Sequence, residues 1–245
     1  MNSEFGSQRD ILILCDFDGT ITEEDATALV WKGRIPLAER TRMVAAVTGG
    51  RWNEAKYVAY GYGFISAVPQ DILGYLREVV RIRPGWNAFL ACVARGNFRL
   101  HVLSNGLDFC VKEFIGSVAS TSSLVSQFDG RYHVDLPHGC MLLPGEEFKA
   151  HCVSRLIAES QPSQTIYIGS SLSDHASALL CDRVFAIRNG ALAKMRRNRG
   201  LPTVEFDSFD VLGETLQMDR SLRAYRGQNI DSAAAQHLGD ARQSA

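Results

Sequence analysis

The chain has 245 residues, a formal net charge of −1, 46% apolar, 9% aromatic and 22% charged residues. Near-neutrality excludes a general polyanion binder, which needs a strong basic excess, and no apolar run approaches the roughly 20 residues that span a bilayer. The opening MNSEFGSQRD has no positive leader followed by an apolar stretch, so it reads as a lead-in, with EFGS compatible with a cloning remnant, and not as a signal peptide. Six scattered cysteines (15, 92, 110, 140, 152 and 181) form no CxxC pair and suit free thiols in a reducing cytoplasm. His138, Cys140, His151 and Cys152 match no common zinc spacing.

The first element, residues 10–15, is a continuous apolar run of β-formers. It reads as a strand buried on both faces, as in a parallel sheet. Further strands are predicted at 98–103, 165–168 and 183–187. Helical stripes precede two of them: Trp86, Phe89, Leu90 and Val93 before the second, and Phe148, Cys152, Leu156 and Ile157 before the third. This alternation predicts an α/β fold with a Rossmann-like doubly wound parallel sheet. From about Glu23 to Arg83 the alternation stops. Ile72, Leu73, Leu76, Val79 and Val80 recur at helical spacing after Pro69-Gln70-Asp71, with breaks at 48–50 and 67–69, so an α-helical insert is predicted. Two alternating runs around Asp129-Gly130 predict a small β-hairpin over 123–136. The division expected is a core of residues 9–22 and 84–218, a helical cap of 23–83, and a disordered tail of 219–245.

Two carboxylates, Asp16 and Asp18, follow the first strand directly, at the strand end where open α/β sheets bind ligands. Like charges this close call for a cation or a shared proton, and oxygen ligands point to Mg²⁺. Ser104-Asn105-Gly106, read as a strand-to-helix turn, offers a hydroxyl and backbone N–H groups to phosphate oxygens. The third strand ends in Gly169-Ser170-Ser171-Leu172-Ser173-Asp174, which adds a carboxylate, and Lys149 supplies a positive charge. Two other signals carry less: Gly61-Tyr62-Gly63 follows no strand, and the basic run Lys194–Arg199 suits a helix end better than a nucleic-acid contact.

In element order and motifs the chain resembles the haloacid dehalogenase superfamily of phosphatases. Asp16–Thr20 is similar to its first motif, Ser104 to its second, Lys149 to its third, and Gly169–Asp174 to its fourth, over roughly residues 10–217. The insert resembles the C1-type cap of the branch holding phosphoserine phosphatase. CDFDGTIT and Leu136–Cys140 bring it closer to the branch of the methionine-salvage phosphatase for 2-hydroxy-3-keto-5-methylthiopentenyl 1-phosphate. The resemblance implies a Mg²⁺-dependent phosphomonoesterase acting on a small phosphorylated metabolite, without nucleic acid or membrane, as a monomer or homodimer. It implies Asp16 as a nucleophile forming an aspartyl-phosphate and Asp18 as general acid and base. Ser104, Asn105 and Gly106 would sit at the phosphoryl group, and Lys149 would offset charge. Asp25 would face the substrate or simply charge a helix N-terminus, and Asp16, Asp18, Asp174 and Ser170 would lie at the metal.

Two departures stand out. Ser170 occupies the position where relatives usually carry a metal-ligand Asp, which leaves open a protein of impaired catalysis serving as a ligand-binding or regulatory module. Gly61 aligns roughly with the cap Arg by which phosphoserine phosphatases hold a carboxylate, and its neighbours Tyr57, Tyr60, Tyr62 and Phe64 make an aromatic, uncharged wall.

Overall fold

The computed structural model describes residues 11–96, 98–137 and 147–216. Strand β1 (Ile11–Asp16) forms where predicted and is hydrogen-bonded on both sides: Ile11 stands opposite Phe98 of β2 (Phe98–Leu107) and Gln164 of β5 (Gln164–Gly169). Alternation along β1 then divides the core. Ile13 and Cys15 enter one apolar cluster with α5 (Trp86–Arg95) and the insert. Leu12 and Leu14 enter the other, with Phe148, Cys152 and Val153 of α7 (Phe148–Ser160). Each such fully buried aliphatic side chain stabilises the fold by roughly 1.5–3 kcal/mol. A central strand that is apolar on both faces therefore specifies helices on both faces.

The other strands are β3 (Ser120–Phe128), β4 (Tyr132–Asp135), β6 (Arg183–Ile187) and β7 (Val204–Phe206). The sheet order is β4-β3-β2-β1-β5-β6-β7, parallel throughout except for β4 against β3. The chain winds outward from β1 in one direction and from β5 in the other, so the strand order switches between them, above their carboxyl ends. Helices α6 (Asp108–Ile115), α8 (His175–Leu179) and α9 (Ala191–Asn198) complete the layers. The basic run ends α9, where Arg196 turns inward to Thr203 and the Pro202 carbonyl.

The insert consists of α1 (Ala26–Trp31), α2 (Leu37–Thr48), α3 (Glu54–Tyr62) and α4 (Pro69–Val79). Its two ends are tied together by a Thr22–Ile82 bridge and by hydrogen bonds from Glu23 N to Arg81 O (2.9 Å) and Arg83 N to Ile21 O (2.8 Å). Among the described residues, no helix is long and apolar enough to cross a membrane.

Two sequence expectations need correction. Strand β2 runs past Leu103 to Leu107, with a register shift between Ser104 and Leu107. Ser104-Asn105-Gly106 is thus a bulged strand segment and not a turn, because β3 continues the pairing after β1 has ended. The hairpin around Asp129-Gly130 is present, but β3 starts at Ser120 and pairs parallel with β2, so it extends the main sheet. The expected tail, and His138 to Cys140, lie outside the described residues.

Candidate active site

Asp16 ends β1 at the switch point and is 1% exposed. The chain then makes a wide turn over Phe17–Ile21, which Gly19 permits at φ 71°, a value a β-carbon disfavours. Thr20, buried within that turn, donates its hydroxyl to Asp16 Oδ2 at 2.7 Å. Arg83 locks the turn from outside through the carbonyls of Gly19 and Thr20, both at 2.8 Å.

Lys149, the second residue of α7, reaches the same point from the opposite face of the sheet. Its Nζ lies 2.6 Å from Asp16 Oδ1 and 2.9 Å from Asp174 Oδ1, and all three groups are buried. Asp174 also accepts from Tyr167 OH (2.8 Å), from the backbone N–H groups of Ser170 and Ser171 (2.9 Å each), and from the Ser171 hydroxyl (3.2 Å). A carboxylate has about four lone-pair sites, and these five donors occupy them. The expectation of Asp174 as a metal ligand is therefore corrected: it holds Lys149 in place.

Asp18 points to the other side of the turn. Its Oδ1 accepts from Ala26 N at 2.9 Å and its Oδ2 from Ser104 Oγ at 3.3 Å, while Ser104 Oγ accepts from Gly106 N at 2.9 Å. The Ser170 hydroxyl lies 3.3 Å from the Asp18 main-chain carbonyl. Asp25 caps α1, accepting from Ala28 N at 2.8 Å, and also lines the cavity. That cavity, of about 130 Å³, is bounded by Asp16, Asp18, Lys149 and Asn105 on the core side and by Trp31 and Tyr57 on the insert side. A larger groove of about 850 Å³, lined in part by Trp52, Tyr57 and Asn105, adjoins it.

Electrostatics follow from burial. Three carboxylates (Asp16, Asp18 and Asp174) surround one ammonium, a net of −2 when all are ionised. Burial, then the Asp174 charge, pushes Asp16 up to about 7 against the pull of Lys149 and Thr20. Burial, then Asp25 and Asp16, pushes Asp18 well above the ordinary carboxylate range. At Asp174 burial is outweighed by Lys149 and the Ser171 and Ser170 amides, and its carboxyl is held below the ordinary value. The uncompensated charge, together with the Asp16 carboxylate, the Asp18 carbonyl and the Ser170 hydroxyl, fits a hard divalent cation with oxygen ligands. Among the described residues, no group of three or more His, Cys, Asp or Glu side chains is placed to hold a metal. Such a cation would rest on few protein carboxylates.

The residues singled out from the sequence thus converge on one sheet edge. Three residues at the site were not singled out from the sequence: Thr20, which bonds Asp16, is visible there only as part of a motif; Tyr167, which bonds Asp174, is one phenol inside an apolar strand; and Trp31, which lines the cavity, gives no signal of its own.

A family model for haloacid dehalogenase-like hydrolases matches residues 13–178, and the chain belongs to that family. Among similar proteins is the 2-hydroxy-3-keto-5-methylthiopentenyl-1-phosphate phosphatase of Bacillus mycoides (strain KBAB4), 29% identical over an alignment of 217 positions that covers 83% of this chain and 95% of the relative. The enzyme of the same name from Geobacillus kaustophilus (strain HTA426) is 28% identical, covering 86% of this chain and 98% of its own. Among solved structures, a phosphoserine phosphatase in its phospho-aspartyl intermediate analogue form aligns with a TM-score of 0.63 at 14% identity, covering 85% of this chain and 99% of its own. A haloacid dehalogenase-family hydrolase from Salmonella enterica serovar Typhi aligns with a TM-score of 0.66 at 16% identity, covering 82% of this chain and 69% of its own. At these identities the solved structures bear on the fold alone.

Proposed function

We propose that this chain, a phosphatase of the haloacid dehalogenase-like family, hydrolyses a small phosphate ester by transferring the phosphoryl group to Asp16. The observation that carries this reading is the Lys149 ammonium, 2.6 Å from Asp16, anchored from behind by Asp174 and placed on the cavity that Asp18 also lines. An Asp16 carboxylate oxygen attacks phosphorus as the ester P–O bond breaks. The raised carboxyl of Asp18 gives its proton to the departing alkoxide oxygen. Asp18, now a carboxylate, takes a proton from water as that water attacks the phosphorus of the aspartyl-phosphate. Inorganic phosphate leaves and Asp16 is regenerated. Lys149 balances the charge gathered around Asp16, while Ser104 Oγ and the Gly106 N–H, which here serve Asp18 and each other, are the donors within reach of phosphoryl oxygens. Mg²⁺, bound by Asp16, the Asp18 carbonyl and Ser170, would neutralise phosphoryl charge during transfer.

The wall of the cavity bears on the substrate. Its described lining holds one cation, Lys149, which is engaged by Asp16 and Asp174, and its insert side sets Trp31 and Tyr57 beside Asp25, while Arg51 lines only the adjoining larger groove. Within the smaller cavity this supports an ester with an uncharged leaving group, such as the substrate in the relatives' name, over phosphoserine. The test is inorganic phosphate release from a panel of metabolite esters and phenyl phosphate, with and without Mg²⁺. Mg²⁺-dependent release is expected. No release at any Mg²⁺ concentration would favour the rival reading, a binding module of impaired chemistry, whose support is Ser170.

Ser170 gives a separate prediction. Ser170→Asp adds a carboxylate beside the Asp18 carbonyl, so the Mg²⁺ concentration for half-maximal activity should fall by roughly tenfold or more. An unchanged requirement places Ser170 away from the metal.

A further inference from the structure

The turn that follows Asp16 contains a peptide with two possible orientations. Asp18 (φ −70°, ψ 120°) and Gly19 (φ 71°, ψ 0°) have the dihedral angles of the two central residues of a type II turn. The peptide between them carries the Asp18 carbonyl at one end and the Gly19 N–H at the other. Because it is planar and trans, these two groups point in opposite directions. In a type I turn the same peptide is turned over, so the carbonyl faces the other way with little change in the path of the chain. Which way the Asp18 carbonyl points is therefore decided by what holds the Gly19 N–H.

Thr22 holds it. The residue is fully buried, and its hydroxyl accepts from Gly19 N at 3.1 Å. The single hydroxyl proton goes to the Glu24 carbonyl at 2.6 Å, with Phe17 O at 3.1 Å as a second acceptor in reach, which leaves a lone pair for the Gly19 N–H. Glu24 O itself lies 3.2 Å from Gly19 N. With the N–H held on this side, the Asp18 carbonyl is presented to the Ser170 hydroxyl, 3.3 Å away. The hydroxyl is not needed to close the turn: the Thr22 backbone N–H bonds Phe17 O at 3.2 Å, and the Thr22 backbone bridges Ile82. A buried Val of the same shape would serve the fold, so the hydroxyl bears on the direction of one peptide.

We propose that Thr22 is a positioning residue, whose hydroxyl holds the Asp18–Gly19 peptide with its carbonyl turned toward the Mg²⁺ site. This rests on the reading above, in which that carbonyl and Ser170 help to hold the ion. With few protein carboxylates to bind it, the ion depends the more on a correctly aimed main-chain oxygen. Thr22 and Glu24 also belong to the first linker of the insert, and Glu24 Oε2 accepts from Arg81 N of the second linker at 3.1 Å. The carbonyl is thus aimed by the residues that attach the insert to the core.

The experiment measures Mg²⁺ binding by isothermal titration calorimetry, without substrate, in the wild-type chain, Thr22→Val and Thr22→Ser. The Kd should rise about tenfold in Thr22→Val, which keeps the shape and loses the acceptor, and stay within about threefold of wild type in Thr22→Ser, which retains the hydroxyl. In the wild-type chain, hydrogen exchange at the Gly19 amide should slow by about threefold or more when Mg²⁺ is added, because ion binding and peptide orientation are linked reciprocally. A Thr22→Val Kd within about threefold of wild type, a Thr22→Ser chain that binds as weakly as Thr22→Val, or Gly19 exchange unmoved by Mg²⁺ each overturns the assignment to Thr22 and leaves the phosphatase reading intact. If Thr22→Val does not fold, the exchange measurement on the wild-type chain decides alone. A wild-type chain that binds no Mg²⁺ overturns this assignment together with the metal's part in that reading.

Discussion

Asp16→Asn is expected to lower phosphate release by a factor on the order of 10⁴ or more, since it removes the oxygen nucleophile to which the phosphoryl group would be transferred. The fold should survive, because Asn is isosteric: its carbonyl can still accept from Lys149, and the Thr20 hydroxyl can turn to accept from the amide. Stability gives a second check. Burial and Asp174 raise the Asp16 carboxyl from 3.8 to about 7 in the folded chain. A carboxyl raised in this way supports the fold fully below its unfolded value, and that support is lost as pH rises through the folded one. In chelator-treated protein, Asp16→Asn should therefore gain stability relative to the parent between pH 5 and pH 8. Retention of substantial turnover, measured as phosphate release with Mg²⁺ present, would rule out covalent catalysis at this residue.

Lys149→Met should damage both stability and activity. It removes the one ammonium between Asp16 and Asp174 and leaves two carboxylates facing each other out of water. Breaking a buried pair in this way costs about 3–5 kcal/mol, which for a chain of this size lowers the melting temperature by roughly 6 to 20 °C. Phosphate release should fall by a factor on the order of 10²–10³ as charge stabilisation around Asp16 is lost. The pH dependence has a definite sign. In the parent, Asp174 is held below its ordinary value, so its contribution is present above the unfolded pKa and lost as pH falls through the folded one. In the variant, both carboxyls move up, and whatever they contribute is lost as pH rises through those raised values. The gap in melting temperature between variant and parent should thus widen from pH 5 to pH 8. A gap independent of pH would mean that Lys149 supports the fold by packing and not by charge.

These two predictions rest on residues that are legible in very different ways. Asp16 follows a run of five apolar or small residues that reads as a doubly buried strand, so its place at a sheet edge follows from local pattern alone. Lys149 stands 133 positions from Asp16, and composition and periodicity near it describe only a helix start. Resemblance to a family motif was needed to connect the two. Asp174 was legible as an acid beyond a strand, but not as an acid whose lone pairs are already taken. That depends on where the Tyr167 phenol and the Ser170 and Ser171 amides point once β5 lies beside β1.

The doubly wound α/β core, the helical character of the insert and the strand-end position of Asp16 and Asp18 are written in the sequence, because hydrophobic periodicity and chain order act locally or between neighbouring elements. Only the tertiary structure decided that β2 continues through Ser104–Gly106, since that needs a partner strand, β3, after β1 has ended. It likewise decided that the indole of Trp31 lies over Gly61 beside the cavity lined by Asp16 and Asp18, with its N–H unpaired among the described residues. Hydrogen-bond saturation and close packing are set by distant residues meeting at fixed angles, and no window along the chain contains that information.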